Sequence, residues 1–379
     1  MWFPTSQYLL LMSRSLYKDT LDFLSKCSNT EVKGNHLRRL KVLAKMISAC
    51  AKTKCCSLAG ISTSTADDHR QRESRIKQAK RWLSSKWTGW DSFFAPYIGY
   101  LLTHLAKSGE LILVIDGSET GQNCCTLMLS VLWKGYAIPV VWLTRQGPKG
   151  HFSDQVHTDL VRQFSQIFCP PSSCRVVLLG DGEFDGTQLI TYCQEQGWEY
   201  VLRTSLDRQI DCSGEYARID SLLPLLQRRK LIFMEFACGV SHAILWKDRG
   251  FNDPIPLLTN MELGEMACRY YKRRFKIETM FRQLKSAGFQ LQASMLNDPL
   301  RIQNLIIVAA IAFIFTFCIG LIVKEQTAAV VNTFLRFDRI HTMSPITVAQ
   351  CAMDDHSDLA YYIFSMLSKN FAVFFSSGA

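Results

Sequence analysis

Leu111-Ile112-Leu113-Val114-Ile115-Asp116-Gly117 is a continuous apolar run stopped by an acid and a glycine. Such a run suits a buried strand, and Asp-Gly suits the turn that ends it. Cys124 to Trp133 and Ala137 to Leu143 are two more apolar runs, separated by Lys134-Gly135, so three successive strands joined by tight turns are predicted. A helix over about His157 to Phe168 then leads through the Pro170-Pro171 break to a buried strand, Arg175 to Leu179, which ends in Gly180-Asp181-Gly182. A helix near Gly186 to Gln196 and a strand Tyr200 to Thr204 complete an α/β unit. Residues 206–260 hold β-rich runs such as Leu231 to Phe236 and Ala243 to Trp246 and read as an inserted β subdomain. Helical periodicity resumes at about Glu262.

N-terminal to this unit the chain changes character. Residues 1–95 read as helical, with apolar residues at helical spacing from Leu37 through Leu40, Leu43 and Met46 to Ile47. Of 43 Lys+Arg and 33 Asp+Glu in 379 residues, a net charge of +10, residues 1–90 hold 17 basic and 6 acidic. The surplus is therefore N-terminal, and it argues for a polyanionic partner and against an acidic soluble metabolic enzyme. Arg38, Arg39, Lys41 and Lys45 form one cluster; Arg70, Arg72, Arg75, Lys77, Lys80 and Arg81 form a second, leading into Trp82 and Trp87. Solvated helix faces carry similar runs, but two clusters interleaved with aromatics point to DNA contact, with Arg38 and Arg39 as phosphate-binding residues.

Fourteen cysteines, some in adjacent pairs and none in C-x-x-C spacing, read as reduced and mostly buried thiols of a cytoplasmic protein. No Lys or Arg precedes Arg14, and the apolar run Tyr8 to Met12 is too short for a signal peptide. Leu305 to Val323 is uncharged and long enough to span a bilayer. It is a single such run, it follows a strongly polar helix closely, and a buried core helix is expected, with no membrane partner.

Asp116 and Asp181 stand at the ends of apolar strands beside glycines, where α/β folds place reactive groups; by residue type each is equally a turn former. More specific is Tyr271-Lys272-Arg273-Arg274-Phe275-Lys276-Ile277-Glu278-Thr279-Met280-Phe281-Arg282-Gln283-Leu284-Lys285. At about 100° per residue, Tyr271, Arg274, Glu278 and Lys285 fall within roughly 60° of one helix face. Ile277, Met280, Phe281 and Leu284 fill the neighbouring arc, so the helix packs on a core and presents the polar stripe at its margin. An ordinary surface helix with a Glu/Arg pair has the same residues, but one carboxylate among cations suits a metal ligand beside phosphate-binding groups.

The spacing Tyr271-(2)-Arg274-(3)-Glu278-(6)-Lys285 resembles the YREK signature of bacterial DDE-type insertion-sequence transposases, the insertion sequence four group. The resemblance covers roughly residues 35–325. It implies an α/β fold with a ribonuclease H-like catalytic core, an inserted β subdomain, a preceding helical DNA-binding region and following C-terminal helices. The corresponding boundaries are 1–95 for the basic helical region, 96–205 and 261–325 for the two parts of the core, 206–260 for the β insertion and 326–379 for the C-terminal helical region. The resemblance also implies that Asp116, Asp181 and Glu278 are catalytic and bind two Mg²⁺ ions, for which Mn²⁺ substitutes. Tyr271, Arg274 and Lys285 would hold phosphates of the element's end. Implied partners are DNA, both the terminal inverted repeats and the target, and a second protomer on that DNA. A domesticated transposase that only binds DNA is the alternative.

One departure concerns the tryptophan that hairpin-forming relatives carry before the Leu-Leu-Thr strand. Ile255-Pro256-Leu257-Leu258-Thr259 has none; Trp246 is either a substitute or a core side chain. His151 and His157 flank Ser153-Asp154, and capping or surface roles are expected of them.

Overall fold

The computed structural model describes residues 16–63, 71–148, 150, 152–212, 215–224, 233–238, 241–247, 253–325 and 342–355. Helices α1 (Leu16–Cys27), α2 (Gly34–Thr53), α3 (Arg72–Leu83), α4 (Trp90–Phe93) and α5 (Ala95–Leu105) precede the first strand. Strands β1 (Glu110–Glu119), β2 (Cys124–Trp133) and β3 (Tyr136–Gln146) form an antiparallel meander, as the three apolar runs predict. Helix α6 (Asp154–Ile167) crosses to β4 (Arg175–Gly180), and α7 (Thr187–Glu195) crosses to β5 (Glu199–Arg203). Both strands lie parallel to their neighbours, β4 to β1 and β5 to β4. This is the arrangement that helical crossovers permit.

Strand β1 runs past the apolar stretch that announces it. Asp116 lies inside the strand and not at its end, because β2 continues to pair alongside it, from Asp116↔Met128 to Glu119↔Cys125. Only the parallel pairing stops there, at Ile115↔Gly180.

The residues read as a β insertion form β6 (Gln209–Cys212), β7 (Glu215–Arg218), β8 (Phe233–Cys238), β9 (Ser241–Trp246) and β10 (Ile255–Thr259). They continue the same sheet, because β10 pairs antiparallel with β5 and gives one ten-stranded order, β3-β2-β1-β4-β5-β10-β9-β8-β6-β7. At this far end Ile210, Ile219, Leu222, Ala243 and Leu245 make a small separate core. Leu231 and Ile232, at the start of the predicted strand, lie outside the described residues.

Helices α8 (Gly264–Arg274) and α9 (Lys276–Arg282), the second continued by a single π-helical turn over Gln283–Ala287, return the chain to the centre of the sheet. The Tyr270 hydroxyl donates to the Glu110 carboxylate at the start of β1, and Arg175 Nη1 donates to Tyr270 Oη at 3.0 Å from the start of β4. These bonds seat α8 over the two central strands.

The long apolar run becomes α10 (Pro299–Glu325), which is buried on all sides from Asn304 to Leu321, as expected of a core helix. Trp142 Nε1 on β3 donates to the Gln303 carbonyl, and Asn304 Nδ2 donates to the Leu83 carbonyl at 2.8 Å. Helix α10 thereby ties the N-terminal helices to the sheet, and one apolar core runs from Phe23 to Ala352. The region expected to be a separate N-terminal unit thus shares that core. Helix α11 (Pro345–Asp355) crosses α10 closely, since a Cβ at Gly320 would overlap the Pro345 carbonyl. Of the expected C-terminal helical region, 326–341 and 356–379 lie outside the described residues.

Candidate active site

The register of the two central parallel strands sets the site. Asp116 and Asp181 each stand one residue beyond the Ile115↔Gly180 pair. Neighbouring strands are about 4.8 Å apart, so the two acids lie side by side. Asp116 is 3% exposed, and its Oδ1 accepts the Gly117 N–H at 2.8 Å. Asp181 is half-buried, and its Oδ1 accepts the Glu183 N–H at 3.1 Å. Asp181 therefore makes the turn-type bond, two residues on, that its residue type favours, Asp116 bonds the next N–H along its strand, and in each the second oxygen is left for other partners.

The loop from Asp181 to Gly186 is fastened at three points. Phe184 is fully buried beneath it. The Asp185 carboxylate accepts the Thr204 hydroxyl, and Arg208 Nη2 donates to the Asp185 carbonyl at 3.2 Å. Asp185, the second aspartate of the Asp181-Gly182-Glu183-Phe184-Asp185 stretch, is thus a structural residue.

The third fastening comes from Asp154 at the start of α6. Its Oδ2 accepts the Gln188 N–H at 2.9 Å and its Oδ1 the Leu189 N–H at 3.3 Å. These are the second and third N–H groups of α7, the donors that an N-cap side chain normally satisfies. The N-cap residue itself is Gly186, with no side chain to offer, and a Cβ there would fall inside the Asp154 carboxylate. Sequence reasoning missed this role, because Ser153-Asp154 signals the start of its own helix and nothing local links it to another.

His157, one turn into α6, is buried, with its ring centroid 4.7 Å from that of Phe184. Capping and surface roles are both excluded by this position. Neither ring nitrogen has a hydrogen-bond partner, and burial pulls its pKa below the usual value against the opposing pull of Asp154 and Asp181. His151 lies outside the described residues.

Helix periodicity places Tyr271, Arg274, Glu278 and Lys285 on one face, but the segment is not one uniform helix. Phe275 separates α8 from α9, and Lys285 belongs to the π-helical turn. Tyr271 is buried, not at an exposed margin, and burial raises its pKa, with Asp181 adding to the rise. Arg274 is 5% exposed. Its Nη2 donates to Glu278 Oε1 at 2.7 Å, its Nη1 lies 3.7 Å from Asp116 Oδ2, and its guanidinium covers the Phe275 ring at 4.3 Å. Burial disfavours its charge, but Tyr271, Glu278 and Asp116 outweigh that and hold its pKa above the usual value. Glu278 reaches the surface, with its side chain 54% exposed. Lys285 Nζ donates to Ser118 Oγ at 3.3 Å. Ser118 is two residues beyond Asp116 on β1 and so on the same face of the sheet, where Lys285 joins the other three.

Asp116, Asp181 and Glu278 offer only carboxylate oxygens, which suit a hard divalent cation. Among the described residues no three acidic, His or Cys side chains converge as they stand on a single point that would hold a metal. The guanidinium of Arg274 supplies the counter-charge to both Asp116 and Glu278. The donor chemistry fits, and the space between two of the donors is held by a cation of the protein's own.

Two residues singled out in the sequence fall elsewhere. Trp246 is buried between β8 and β10, with Lys272 Nζ 5.4 Å above its ring, and so is a core side chain. Arg38 and Arg39 line a groove between α2 and α3.

The family described as transposase DDE domain matches residues 117–315. The match begins at the residue after Asp116 and includes Asp181, the Tyr271–Lys285 segment and most of α10. None of the curated proteins matches the chain.

Proposed function

The chain belongs to the transposase DDE domain family, and from that premise we propose that it binds the inverted-repeat ends of its own mobile element, cuts them and joins them to target DNA. As a transposase it is a DNA-cleaving enzyme with DNA as partner, and enzymes of this family generally use divalent metal ions. The finer reading is a cut-and-paste enzyme of the insertion sequence four group, acting as a homodimer on DNA.

Asp116, Asp181 and Glu278 are the metal-binding acids, with two Mg²⁺ ions, or Mn²⁺ in their place. When bound, such ions activate an attacking oxygen and stabilise the leaving one. The observation that carries this reading is the place of Asp116 and Asp181, each one residue beyond the last parallel pair Ile115↔Gly180, together with Arg274 joining Asp116 to Glu278. Lys285 and Arg274 hold phosphates, Lys285 as a point charge beside Ser118 and Arg274 from the interior of the site through its planar fork. Arg274 exchanges a carboxylate for a phosphate when it does so. Tyr271 is buried beneath Arg274 and orients it, its ring centroid 5.7 Å from the guanidinium. Arg38 and Arg39 hold DNA phosphates away from the site.

The test is incubation of the protein with a labelled copy of its own element's end and Mg²⁺, followed by mapping of nicks, hairpins and double-strand breaks. Asp116→Asn, Asp181→Asn and Glu278→Gln should each abolish cleavage and leave end binding nearly intact. Wild-type cleavage by any of the three would overturn the metal assignment, and binding without cleavage by the wild type would favour a domesticated DNA-binding protein.

A further inference from the structure

The basic N-terminal helices carry a second feature, formed by a groove and an exposed indole. The groove has a volume of about 300 Å³ and lies between α2 and α3, with Asn35, Arg38, Arg39, Gln78 and Arg81 among its lining residues. Three guanidinium groups meet there, and none of the described residues lining it is acidic. Trp82, expected from the sequence to interleave with the basic residues in DNA contact, is instead a buried side chain that lines the groove. Its Nε1 donates to the Arg39 carbonyl at 3.1 Å, fixing α3 against α2.

The turn after α3 lends Ser85 and Thr88 to the lining of the groove and, between them, carries Trp87, which is 63% exposed. A single exposed aromatic is ordinary by itself. This one is held on a rigid support. The Thr88 hydroxyl donates to the carbonyls of Trp82 and Ser85, at 2.6 and 2.8 Å, and Asn304 of α10 binds the same turn from beneath. Lys86 Nζ lies 5.3 Å from the Trp87 ring centroid and adds positive charge beside it. The arrangement combines a preorganised aromatic face with a cationic groove.

We propose that this groove and Trp87 bind an unpaired nucleotide of a DNA strand, with its phosphates on Arg38, Arg39 and Arg81 and its base stacked on the Trp87 indole. The inference rests on the DNA-binding reading above and names the form of DNA taken here. Guanidinium forks match phosphate oxygens. A flat indole on the surface stacks on a base that has left its own helix, and every base has a face to offer, so the contact is independent of sequence. The volume stands at the lower end of the range of about 300–1,000 Å³ for sites that enclose a small ligand, which suits one nucleotide.

The test measures binding of the full-length protein to a labelled short oligothymidine and to a blunt duplex of unrelated sequence at one salt concentration. Trp87→Ala should weaken oligothymidine binding about tenfold and change duplex binding by less than about twofold, and Trp87→Phe should retain most of the single-strand affinity. An unchanged melting temperature for both variants, expected at so exposed a position, separates this from a folding defect. Equal oligothymidine binding by wild type and Trp87→Ala, or equal losses on both DNAs, overturns the inference. Binding of the duplex but not of oligothymidine by the wild type overturns the inference alone, whereas binding of neither overturns the DNA reading with it.

Discussion

Arg274 and Asp116 form a pair in the interior, with Nη1 3.7 Å from Oδ2 and both side chains almost wholly shielded from solvent. Removing Arg274 leaves the buried Asp116 carboxylate charged and uncompensated, which costs about 3 kcal/mol or more, whereas removing both costs less. Arg274→Ala should therefore lower the melting temperature strongly, and Asp116→Asn in the same chain should restore part of the loss. Thermal unfolding of the two single variants and the double variant measures this. A double variant as unstable as the sum of the singles would mean that the pair is not coupled.

The Asp154 carboxylate and Gly186 give a steric prediction. Gly186 has φ −67° and ψ 146°, a backbone conformation that alanine adopts freely, so only the space taken by Asp154 requires glycine there. Gly186→Ala should destabilise the wild type and reduce cleavage by displacing the loop that carries Asp181. In an Asp154→Ala background, which itself loses about 1 kcal/mol of capping, the same change should be nearly neutral. The non-additivity is read from denaturant midpoints of the four chains in the cycle.

These two cases show which parts were legible in the sequence. Strands β1 to β5 were, because strands buried on both faces are continuous apolar runs whether they pair parallel or antiparallel, and the breaks between them are Pro and Gly clusters. The position of Asp116 inside β1 was not, since that strand is prolonged by pairing with β2, a non-local partner. Nor was the joining of residues 206–260 to the main sheet, which depends on β10 meeting β5 across a long stretch of chain. Periodicity correctly gathered Arg274, Glu278 and Lys285 toward Asp116 and Ser118. It could not report the break at Phe275 or the burial of Tyr271 and Arg274, because it assumes one uniform helix and gives no depth.

His157 sets a pH dependence of stability. Burial holds its pKa in the folded protein below the ordinary 6.5, so the unfolded chain binds more protons in the interval between the two values. The stability contributed by the neutral ring is fully present above about pH 6.5 and is lost as the pH falls toward the folded value. His36 and His104 shift in the same direction from more exposed positions. His157→Phe, which keeps a ring against Phe184 and removes the titration, should flatten the fall in melting temperature between about pH 7 and 5.5 without abolishing it. An unchanged slope would show that the imidazole takes up its proton as readily in the fold as in the unfolded chain.

Arg38 and Arg39, at the N-terminal end of α2, are predicted to act on affinity through salt. Each phosphate contact that a basic side chain neutralises contributes about 0.9 to the slope of log affinity against log salt concentration. Arg38→Ala with Arg39→Ala should lower that slope by close to two such contacts and weaken binding to specific and unrelated duplexes alike, because phosphate contacts position DNA without reading its sequence. Cleavage at saturating DNA should stay near wild type, since neither residue is among those gathered around Asp116 and Asp181. Anisotropy titrations at several salt concentrations measure the slope. An unchanged slope would move the phosphate contacts to the second basic segment, α3, where Lys77, Lys80 and Arg81 remain.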